Sequence, residues 1–213
     1  AISGEGKNLP TSSIVGKGVV KKEPSGNYLV LGSLSNTDGD PSNDVNNMML
    51  TELSAVDFSP VWTRFYGDGT GSLTNRLLLS QNSDLILAGT KFSSSSQDVR
   101  LLGFPQDNQA SVISASNTPN TVEEIASDVT QVFGGFPGYA IIGTTNQNIG
   151  EDIYLIKFTP TGEEDVAPLV IDFDGQNDKG VSVSGTADGG LILLGNGQSS
   201  NSKGFGGSDL FVI

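Results

Sequence analysis

Leu191-Ile192-Leu193-Leu194-Gly195 is the last of four copies of one pattern, an apolar run closed by glycine. The others are Tyr28-Leu29-Val30-Leu31-Gly32, Leu85-Ile86-Leu87-Ala88-Gly89 and Tyr139-Ala140-Ile141-Ile142-Gly143. The closing glycines lie 57, 54 and 52 residues apart, slightly beyond the roughly 50-residue period of kelch repeats. Residues 24–27, 81–84, 134–138 and 187–190 precede the runs and are rich in Gly, Asn, Asp, Ser and Pro. Such residues build the tight turns that join adjacent antiparallel strands.

Each period carries further strand signals. Before the turns stand Val19-Val20-Lys21, Leu77-Leu78-Leu79, Val129-Thr130-Gln131-Val132 and Val181-Ser182-Val183. After the glycines come runs that open on an acid or amide, at Asn47, Asp98, Asp152 and Asp209. Outer strands follow at Val61-Trp62-Thr63-Arg64-Phe65, Ala110-Ser111-Val112-Ile113 and Leu169-Val170-Ile171-Asp172-Phe173. No long stretch has helical periodicity. Only Thr121-Val122-Glu123-Glu124 resembles a capping box, good for one helical turn at most.

Four short antiparallel strands per period describe a propeller blade. The expectation is an all-β chain, residues 1–213 forming one β-propeller domain of four blades of roughly 54 residues. The blades run over 16–69, 70–120, 121–175 and 176–213, the last completed by residues 1–8. Ile2-Ser3-Gly4-Glu5-Gly6 aligns with Phe65-Tyr66-Gly67-Asp68-Gly69, so pairing of the N- and C-terminal segments would close the ring. The alternative is part of a ring of six to eight blades.

Asp188-Gly189-Gly190-Leu191 with Gly207-Ser208-Asp209-Leu210-Phe211-Val212-Ile213, and Gly150-Glu151-Asp152-Ile153-Tyr154-Leu155-Ile156-Lys157, resemble the repeats of bacterial secreted and surface β-propeller proteins. Trp62-Thr63-Arg64-Phe65-Tyr66-Gly67 is similar to the Trp step of those repeats. The resemblance implies a surface lipoprotein or exported module without assigned chemistry. It implies a location outside the cell or on its surface, in the outer membrane or, alternatively, the periplasm. A lipid anchor upstream of Ala1 belongs to the same expectation.

Composition narrows the chemistry. The chain has no His and no Cys. That excludes Ser-His-Asp and Cys-His nucleophile systems, thiolate or imidazole metal sites, and disulfides. It carries 24 acidic and 11 basic residues, a formal charge of −13. Phosphate binding needs clustered Lys and Arg, so nucleic acid is not an expected partner. No apolar run approaches the roughly 18 residues of a membrane span.

Two acidic loops offer oxygen ligands of the kind Ca²⁺ takes: Asp38, Asp40 and Asp44, and Asp172, Asp174 and Asp178. Plain turn chemistry explains the same residues. No cofactor is required by the sequence; calcium is the one candidate. The phased Asp98, Asp152 and Asp209 read either as a ring of anionic ligands or as local strand-start residues bonded to their own turns. Glu123 with Glu124, Glu163 with Glu164, and Asp84 could serve glycoside hydrolysis, which needs two carboxylates; the paired glutamates also read as solvated surface. Phe92, Phe136 and Phe205 fall in turns or loops and are the candidate binding contacts. The expectation is a non-catalytic exported module that binds a protein partner, as a subunit of an envelope assembly. Alternatives are a carbohydrate-binding module and a carbohydrate-active enzyme that uses carboxylates.

Overall fold

The computed structural model describes residues 12–36, 46–66, 72–82, 84–92, 96–104, 122–148, 150–173, 175–199 and 207–213. Fourteen strands appear there, in four antiparallel meanders. The first sheet is β1 (Ser12–Lys21), β2 (Tyr28–Asn36), β3 (Asn46–Leu53) and β4 (Pro60–Tyr66). The second is β5 (Ser72–Leu79), β6 (Leu85–Phe92) and β7 (Gln97–Phe104). The third is β8 (Glu124–Val132), β9 (Gly138–Thr145), β10 (Asp152–Phe158) and β11 (Glu164–Ile171). The fourth is β12 (Asp178–Gly185), β13 (Leu191–Ser199) and β14 (Gly207–Val212).

The sheets stack face to face in chain order, which explains the apolar runs. A strand covered on one face alternates, whereas one covered on both faces is apolar throughout. On β6, Leu85 and Leu87 join Leu29, Leu31, Met48 and Leu50 of the first sheet. The intervening Ile86 and Ala88 join Ile141, Tyr154 and Phe158 of the third. On β9, Ile141 faces that second core, while Ile142 packs with Ile153, Val183 and Leu193 toward the fourth sheet. Burial of each such Leu or Ile contributes about 1.5–3 kcal/mol. The first strands stand beside one another: β5 packs on β1, β8 on β5, and β12 on β8.

The phased glycines share one place in the sheets, and at Gly143 it has a steric cause. Every first strand carries a one-residue bulge, at Lys17, Asn75, Ser127 and Val181. The residue just before each bulge pairs with a closing glycine: Gly16 with Gly32, Thr74 with Gly89, Ala126 with Gly143, Gly180 with Gly195. A Cβ at Gly143 would collide with the Ile125 carbonyl oxygen. A bulge brings the partner backbone close, and only glycine leaves room.

Some expected elements differ. No helical turn forms at 122–124; Glu123 makes a parallel bridge to Gln97, and Glu124 opens β8. Pairing on the sheet outweighs the local capping pattern because Ile125 and Val129 suit a strand. The third sheet's outer strand ends at Ile171 rather than Phe173, and starts earlier, at Glu164. A tight turn causes this: Thr159 and Glu163 share a backbone hydrogen bond of 2.8 Å directly after Phe158. The expected strand at 110–113 and the closing segment 1–8 lie outside the described residues. Among the described residues no helix is long and apolar enough to cross a membrane.

Candidate functional site

The expected contact residues separate. Phe136 is 74% exposed in the turn before β9, with the Lys157 ammonium 5.3 Å from its ring centre. Phe92 is not a loop contact: it ends β6 and is half-buried. Phe205 lies outside the described residues. Trp62 is half-buried against the first core, and its indole N–H donates to Glu52 at 2.7 Å, so it acts as a wall.

A cleft of about 320 Å³ opens between the third and fourth sheets, beside β8 and β12. Ile125 and Val181 form its apolar wall, and Ser127, Thr144 and Asn196 offer hydroxyl and amide groups. Glu151 and Lys179 meet there as an ion pair of 2.8 Å. Convergent polar groups on an apolar wall are the usual make-up of a small-molecule site.

Glu124 lies on the other face of β8. Alternation places Glu124, Ala126 and the buried side of the strand toward the second sheet, and Ile125 toward the cleft. Glu124 is 4% exposed, so the expected solvated Glu123–Glu124 pair does not form; Glu123 alone is exposed. Burial pushes the Glu124 carboxyl up to about 7, against a hydrogen bond donated by Tyr154, with Asp98 and Glu164 adding repulsion. Burial also raises Asp98, against a hydrogen bond donated by Ser96. Nothing seated in the cleft can touch Glu124 through the strand between them.

A second carboxylate group joins the third and fourth sheets. Asp152, Asp172 and Asp178 bring one oxygen each to within 4.8 Å of one another. Asp172 and Asp178 were legible in the sequence as one loop. Asp152 was legible only as a phased strand-start residue, 20 positions upstream. Its Oδ2 accepts from the Asn148 side-chain amide at 2.7 Å, rather than from a backbone N–H of its own turn. Asp174, Asp38, Asp40, Asp44 and the side chain of Asp209 lie outside the described residues.

The stacked meanders define an all-β fold of β-propeller type. No protein-family model matches the chain, and no curated protein matches it. Among solved structures, a thermostable family-43 glycoside hydrolase is similar in fold, with a TM-score of 0.53. The likeness covers 91% of this chain and 69% of that one, at 11% identity. It overturns the expectation of a chain without catalytic activity, because this fold serves a hydrolase. The lack of His and Cys excludes only chemistry that needs those side chains. Glycoside hydrolysis runs on carboxylates alone.

Proposed function

We propose that the chain is an exported, carbohydrate-active β-propeller that seats a glycan in the cleft between the third and fourth sheets. The observation that carries this reading is the fold likeness to a glycoside hydrolase over 91% of the chain. The cleft supports it chemically. Sugar rings present apolar C–H faces and rims of hydroxyls, and Ile125 and Val181 suit the former. Ser127, Thr144, Asn196 and the Glu151–Lys179 pair suit the latter, with acceptors and donors fixed on strands or beside them. Glu151 is the carboxylate of the cleft that meets the sugar.

The four sheets are the blades of one ring, which closes between the first sheet and the fourth. Supporting this, Val19 of β1 is exposed on the face turned from the second sheet. Ile192, Leu210 and Val212 of the fourth sheet are exposed as well, at 50–71%. Closure would bury these apolar side chains.

The test is a panel of polysaccharides and aryl glycosides, read by calorimetry and by release of reducing ends. Val181→Arg fills the cleft from a surface position, and Glu151→Gln removes the carboxylate. Binding lost in the first variant, and turnover lost in the second, supports the reading. Absence of both binding and turnover across the panel refutes it, as does binding that Val181→Arg leaves intact.

A further inference from the structure

We propose that Asp152, Asp172 and Asp178 form a calcium site that fastens the third sheet to the fourth. Asp152 opens β10, Asp172 follows β11, and Asp178 opens β12, so the three strand ends converge on one point. One oxygen from each carboxylate lies within 4.8 Å of the others. Calcium binds oxygen at about 2.3–2.6 Å, so ligands on opposite sides of the ion are about 4.6–5.2 Å apart. The three oxygens fit around one such ion.

The buried chemistry points to a ligand independently of the cluster. Asp152 is 0% exposed, and its Oδ1 has no hydrogen-bond donor. A buried carboxylate oxygen without a partner is strongly disfavoured. Its other oxygen is held by Asn148. Asp178, also 0% exposed, accepts the Phe173 N–H at 2.6 Å on Oδ2. Asp172 accepts the Gly175 N–H at 2.7 Å on Oδ1. These amides hold the carboxylates in place as outer-shell groups do around a metal. Lys179, next to Asp178, has its ammonium on Glu151 at 2.8 Å. A divalent cation balances three converging anions, and an all-oxygen donor set selects a hard one. Asp172 is exposed, which leaves an entry path for the ion.

The experiment titrates calcium chloride into chelator-treated protein, followed by calorimetry and a thermal melt. Wild type is expected to show a binding heat and a rise in melting temperature that EGTA reverses. Asp172→Asn, at an exposed position, keeps the far-ultraviolet circular dichroism and weakens binding at least tenfold. Asp152→Asn weakens it further; should that variant not fold, Asp172→Asn alone decides. An Asp38→Asn, Asp40→Asn double variant retains the effect. The proposal fails if wild type gives neither heat nor shift up to about 10 mM, ten times the roughly millimolar affinity of weak extracellular sites. It fails equally if Asp172→Asn binds as wild type does.

Discussion

Replacing Asp128 by alanine tests how the inner strands are joined. Asp128 lies on β8, is 6% exposed, and touches three sheets. Its Oδ2 accepts from the Ser182 hydroxyl at 2.5 Å and the Val183 N–H at 3.1 Å, both on β12. Its Oδ1 accepts from the Val129 N–H at 2.9 Å and pairs with Arg76 Nε of β5 at 2.9 Å. Hydrogen bonds to a charged group contribute about 1.5–3 kcal/mol each. The two to β12 therefore set a loss of about 3–6 kcal/mol in Asp128→Ala. Arg76 is 55% exposed, so solvent screening limits the ion pair to about 1 kcal/mol or less. Arg76→Ala should thus cost under about 1 kcal/mol. Asp128→Asn keeps one acceptor and the shape, and should fall between the two. Urea unfolding at pH 7 gives the values from midpoint shifts at constant slope. The reasoning is refuted if Asp128→Ala costs less than about 1 kcal/mol, or if Arg76→Ala costs as much.

Gly143→Ala should destabilise by about 1–3 kcal/mol in the same assay, because the added Cβ meets the Ile125 carbonyl and the Ala126 backbone. Gly16→Ala is its control: nothing lies within 4 Å of a Cβ there, so a shift beyond about 0.5 kcal/mol in the unfolding midpoint contradicts the steric account. Burial pushes the Glu124 carboxyl from the ordinary 4.5 up to about 7 in the folded chain. The folded chain therefore holds this proton more tightly, and stability from it is present below about 4.5 and lost as pH rises through about 7. Melts between pH 4.5 and 8 should show Glu124→Gln losing less stability over that window than wild type; parallel curves would argue against a buried, late-titrating carboxyl.

The repeat was legible because its signals are local. Apolar runs, turn residues and phased glycines each report on a few neighbouring positions, and all four central strands fall where those residues predict. The acid or amide at each third strand was legible too, but its role was not. Asp98 became half-buried beside Glu124, while Asp152 became fully buried and turned to Asn148. Nothing in either local sequence separates the two. The capping-box reading of 121–124 failed for the same reason, since the bridge from Glu123 to Gln97 spans a long stretch of chain.

The sequence alone determined the strand class, the period and the exclusion of His and Cys chemistry, because composition and short-range pattern suffice for these. It also placed glycine opposite each bulge without revealing why. Tertiary structure decided which carboxylates meet. Alternation along β8 turns Glu124 away from the cleft that Ile125 lines. Stacking of the third sheet on the fourth brings Asp152 to Asp172 and Asp178. Contacts between sheets depend on register and stacking over long sequence separations, and no local pattern encodes them.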